Sequence, residues 1–111
     1  MNTYQRLEPI DRETALSMID SGVSESAGEA ILRLALHDPD LGWVTDRALE
    51  LLASSDWRIR AVAATALGHL ARLHGGIDKE RVVPALRALL DDEATAGRAE
   101  DALDDITMFA P

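Results

Sequence analysis

Eight residues in the middle of the chain, Ala63-Ala64-Thr65-Ala66-Leu67-Gly68-His69-Leu70, have a counterpart 36 positions earlier in Ala27-Gly28-Glu29-Ala30-Ile31-Leu32-Arg33-Leu34. A second counterpart lies 36 positions later, in Ala99-Glu100-Asp101-Ala102-Leu103-Asp104-Asp105-Ile106. In every copy the first and fourth residues are Ala, and the fifth and eighth are aliphatic. Recurrence at this period is the mark of stacked supersecondary units, none of which can bury its apolar side alone. A shorter element accompanies it. Ala48-Leu49-Glu50-Leu51-Leu52 returns 37 positions on as Ala85-Leu86-Arg87-Ala88-Leu89, with Ala15-Leu16-Ser17-Met18-Ile19 as a looser first copy. The order is therefore A–B, A–B, A–B.

Both elements are helical. Ala and Leu dominate the chain, apolar residues recur at spacings of three and four, and no stretch keeps a period of two. Only Tyr4, Trp43, Trp57 and Phe109 are aromatic, too few to fill the faces of a sandwich of this length. The spacing predicts helices over 11–20 and 24–37, 42–53 and 57–74, and 79–90 and 94–108. The chain, 1–111, is expected to be a single all-α domain, an α-solenoid of three helical hairpins with repeats at about 11–37, 42–74 and 79–108. Ser24, Asp56 and Asp78 stand where N-caps belong, and Gly75-Gly76 supplies the left-handed stop of the central helix. Pro84 falls near enough to its helix start to be tolerated.

Asp56-Trp57-Arg58-Ile59-Arg60-Ala61-Val62-Ala63-Ala64-Thr65-Ala66-Leu67-Gly68 resembles the second helix of a HEAT repeat, of the short bacterial kind related to phycobilisome-lyase HEAT repeats. Val83-Pro84-Ala85-Leu86-Arg87-Ala88-Leu89-Leu90-Asp91-Asp92 is similar to the first helix and turn of the next one. The resemblance runs through about 42–106, more loosely through 11–37, and departs from the pattern at Asp104, where Gly is expected. It implies a solenoid whose B helices line a concave face. Such repeats serve scaffolds, inhibitors and enzyme-associated subunits alike, so the resemblance speaks to fold before role.

At 100° per residue, Ile59, Val62, Ala63, Ala66, Leu67, Leu70 and Leu73 form one stripe of the central B helix, expected in the core. The opposite stripe, Ala61, Thr65, Gly68 and Arg72 beside Ala64 and His69, is expected to floor a shallow open groove. In the third B helix that stripe falls on Gly97, Asp101, Asp104 and Met108, flanked by Glu100 and Asp105; in the first it falls on Glu25, Glu29, Leu32 and Leu36. The net charge is −9, and residues 91–111 hold seven acids against one base, Arg98. So polarised a charge disfavours nucleic acid and favours a basic protein partner.

Catalytic constellations are missing from the pattern. There is no Cys, the phosphate-loop Lys-Ser/Thr does not follow Gly75-Gly76, and the acids lie along open helix surface. His37, His69 and His74 lack the i, i+4 spacing of a zinc pair. No apolar run is long enough to span a membrane, and the polar segment Met1–Pro9 lacks a signal-peptide core, so a cytoplasmic location is expected. The reading is a non-enzymatic binding module without metal or cofactor. Fold, size and charge are similar to bacterial immunity proteins of polymorphic toxin and contact-dependent growth inhibition systems, which implies a basic toxin domain, a nuclease, as partner. A scaffold holding another protein or a peptide is the alternative. Partner contacts are expected from Trp57, Arg72, Glu100, Asp101, Asp104 and Asp105, with Trp43 either sealing a repeat junction or facing a partner.

Overall fold

A computed structural model describes residues 7–111. Tyr4 and most of the segment Met1–Pro9 lie outside the described residues. Six α-helices follow one another among them: α1 (Arg12–Ile19), α2 (Ser24–His37), α3 (Leu41–Leu52), α4 (Trp57–His74), α5 (Lys79–Ala88) and α6 (Glu93–Phe109). The expected end of α5 is shortened, because its last turn tightens into a 3-10 turn over Leu89–Asp91.

Aspartate occupies the cap position of five of the six helices. The carboxylates of Asp11, Asp40, Asp56 and Asp92 accept from the backbone N–H of Thr14, Trp43, Arg58 and Ala94, each within 3.1 Å. An acid in this place satisfies a free donor and meets the positive end of the helix dipole. Two expected caps differ. Ser24 is already helical and the cap position belongs to Val23, which offers no side-chain acceptor. Asp78 occupies its cap position, but its carboxylate accepts from Arg81 Nε at 2.6 Å instead of from the backbone. Gly75 stops α4 as expected, at φ 67°, where a side chain would be strained.

The short connections fold α1 on α2, α3 on α4 and α5 on α6, and α4 also packs against α2 and α6. The B helices thus form one layer with α4 at its centre, and the A helices lie behind. This corrects the expected face of α4. Ala61, Ala64 and Gly68, read as an open floor, are buried. Their small size admits α2 and α6 to the flanks of α4; a Cβ on Gly68 would stand 3.3 Å from the Ala102 backbone of α6. Leu73, read as core, is 55% exposed. The radius of gyration is 12.8 Å, close to the ~13 Å of a globule of this length, so three hairpins make a nearly equidimensional block.

Behind this layer an ionic framework ties the A helices together. Arg12 grips Asp38 through two bonds of 2.8 and 3.0 Å, and Arg81 joins Asp78 to Asp46 on α3. Trp43 is half-buried against the core, with the guanidinium groups of Arg12 on α1 and Arg47 on α3 over its ring. Among the described residues no helix is long and apolar enough to cross a membrane.

Candidate protein-binding face

Two shallow depressions lie along the seams of the B layer. The first, about 390 Å³, separates α2 from α4; Glu25, Gly28 and Glu29 line one wall, and Trp57, Ala61 and Val62 the other. Gly28 lets the two helices pack closely, since a Cβ there would meet Val62 Cγ1 at 3.2 Å. The second, about 290 Å³, lies between α4 and α6 and is lined by Thr65, His69 and Arg72 opposite Arg98, Asp101 and Asp105. Arg98 borders both, and its Nη1 donates to Thr65 Oγ1 at 3.2 Å across the seam. A third hollow, about 380 Å³, opens between α5 and α6 around Lys79, Val83 and Arg87, away from the B-layer seams.

The expected site residues divide accordingly. Arg72, Asp101 and Asp105 come together in the second depression, and Trp57 stands half exposed in the first. Glu100 and Asp104 are exposed but line neither. Helix α6 buries Thr95, Ala99, Ala102 and Ile106, and 100° steps from that stripe turn Arg98, Asp101 and Asp105 toward α4 and Glu100 and Asp104 toward solvent. Glu25 was already on the expected stripe of α2. Arg98 was passed over as a binding residue, although as the one base in an acidic run it was the residue to suspect.

Within the second depression the polar groups hold one another. Arg72 Nη2 donates to His69 Nδ1 at 2.5 Å, and its Nη1 lies 3.9 Å from Asp105 Oδ2. Burial, together with the neighbouring Arg72 charge, pushes the His69 imidazole below its ordinary value of 6.5, against the pull of Asp105. The folded state therefore binds this proton less tightly than the unfolded one. Its contribution to stability is complete above pH 6.5 and is lost as the pH falls through the lowered folded value. Urea unfolding across that window should show a decline in stability that His69→Gln removes. A second decline, from Asp11, Asp38, Asp56 and Asp78, belongs below 3.8, since hydrogen bonds and arginines hold all four under that value.

The HEAT repeat family matches residues 46–74, which run from α3 through the whole of α4. The chain also superposes on a chain from the crystal structure of a CDI complex from Cupriavidus taiwanensis LMG 19424, with a TM-score of 0.81 and 30% sequence identity. That match covers 91% of this chain and 90% of the other. The chain belongs to the HEAT-repeat family. No curated protein sequence matches it.

As a HEAT-repeat protein it shows what the glycine of the central B helix does. Gly68 lets α6 lie against α4, and a Cβ there would also stand 2.8 Å from Asp105 Oδ2. Asp105 can swing aside, whereas the Ala102 backbone cannot without moving α6. Gly68→Ala should therefore lower the urea midpoint: overpacking of about 1–3 kcal/mol outweighs the helix-propensity gain of up to ~1 kcal/mol.

Proposed function

We propose that this HEAT-repeat protein is the immunity protein of a contact-dependent growth inhibition system, binding a toxin domain and blocking it in the cytoplasm. The match to a chain of a CDI complex, extending over nine-tenths of both chains, carries the reading. Such a complex joins a toxin to its inhibitor, and the charge of this chain favours the inhibitor. A net charge of −9 suits capture of a basic nuclease, whose phosphate site an acidic surface can occupy.

The docking surface in this reading is the B layer. Trp57, Arg72, Asp101 and Asp105 make direct contacts, while Glu100 and Asp104 on the outer side of α6 form a charged rim that guides approach. The test is co-expression with the C-terminal domain of the polypeptide encoded next to this gene, a basic toxin domain in this reading. Protection of growth and a one-to-one complex of nanomolar or tighter affinity are expected. Moderate binding without protection would favour an adaptor, and no binding would remove the proposal.

A further inference from the structure

The two tryptophans are covered differently, and the difference points to what the first depression receives. Trp43 carries the chain's own guanidinium groups, Arg12 at 4.2 Å and Arg47 at 5.2 Å from the ring centroid. Trp57 is half exposed, and among the described residues no guanidinium lies over its ring. Its neighbour Arg58 also lines the depression, but its Nε and Nη2 are held on Asp56 at 3.1 and 3.3 Å. Arg98 lines the depression as well, with its Nη1 engaged by Thr65, which stands about 12 Å along α4 from Trp57.

Charge around the depression is equally uneven. Glu29 is neutralised by Arg33 at 2.9 Å, whereas Glu25, in the first turn of α2, has no ion pair among the described residues. Of the other lining residues, Gly28 and Ala61 leave room for a slender chain, and the guanidinium groups of Arg58 and Arg98 are already engaged by Asp56 and Thr65. An open aromatic face, an unpaired carboxylate and a narrow apolar track together match one side chain. A guanidinium is planar, stacks on aromatic rings, sheds water more readily than an ammonium and forks onto a carboxylate.

We propose that this depression is the anchor site for a single arginine of the protein partner, its guanidinium stacked on Trp57 and bonded to Glu25, its methylenes lying over Gly28 and Ala61. The proposal rests on the reading that the B layer binds a protein. It assigns to one pocket the contact that holds the complex together, leaving the acids of α6 to speed its formation.

The probe is the partner domain recovered in the co-expression test above, with association and dissociation rates measured by surface plasmon resonance. Trp57→Leu keeps apolar bulk and removes the ring face; it should weaken binding at least about tenfold, chiefly through faster dissociation. Trp57→Phe should recover most of the loss, and Glu25→Gln should weaken binding about fivefold. Among the partner's arginines, one changed to Lys should reproduce the Trp57→Leu loss and add nothing to it in the double variant. Unchanged helical signal and melting temperature exclude misfolding, since Trp57 stands outside the core. Wild-type binding with Trp57→Leu within twofold, or with no partner arginine coupled to Trp57, overturns the anchor alone. Failure of the wild-type chain to bind removes the proposed function, and the anchor with it.

Discussion

Leu70→Asp and Ala66→Asp should each abolish the cooperative unfolding transition, while Thr65→Asp should retain it. Leu70 and Ala66 have no solvent exposure, and both face the helices packed around α4. Truncating a buried Leu costs about 2–5 kcal/mol before any charge is considered. An unpaired carboxylate in the same place adds several kcal/mol more, so the total rivals the ~5–15 kcal/mol that holds a domain folded. Thr65 is only half-buried and sits against Arg98, which can neutralise a carboxylate there. Circular dichroism and urea titration separate the outcomes. Equal midpoints for all three would mean that the packing around α4 is misassigned.

The second large effect concerns the rate of complex formation. Changing Asp101, Asp104 and Asp105 together to Asn keeps side-chain shape and removes three of the nine net negative charges. Attraction between oppositely charged surfaces reaches about one Debye length, ~10 Å at 0.1 M salt and ~3 Å at 1 M. Association of the wild-type chain with a basic domain should therefore slow steeply with salt. The triple variant should associate about tenfold more slowly at low salt, with a flatter dependence. Asp105 complicates the third change, because it also faces Arg72 and Gly68. Asp105→Asn alone should alter dissociation too, by releasing Arg72; Asp104→Asn alone should touch only association. Full speed and an unchanged salt slope in the triple variant would place the interface elsewhere.

How far the sequence led can be seen at individual residues. The 36-residue recurrence of Ala and aliphatic positions revealed the helices and their order, because a repeated unit must repeat its core. Asp56 and Gly75 were readable as helix ends because each has one conformational use there. Ala61, Ala64 and Gly68 misled for a physical reason: small residues suit an open surface and a close helix contact equally well. Only the approach of α2 and α6 decides between them. Glu100 and Asp104 lie outside the two depressions, a placement that periodicity could not supply, since it gives the spacing of faces but not the direction from which a neighbour arrives. Trp57 could be singled out from its place at a turn beside Arg58, yet its bare ring and the unpaired Glu25 across the seam required the two helices to be brought together.

Because α4 is packed on α2, α3 and α6 at once, no hairpin can peel away without stripping the central helix. Opening of a hairpin is then coupled to loosening of α4, and so is exposure to proteases, which cut only what has opened. A partner seated on the two seams flanking α4 would close that route. At a free concentration a thousandfold above its dissociation constant it adds about 4 kcal/mol to the cost of opening. The lifetime of this protein in a cell would thereby report how much of its partner is present, with the unoccupied molecules the first to be degraded.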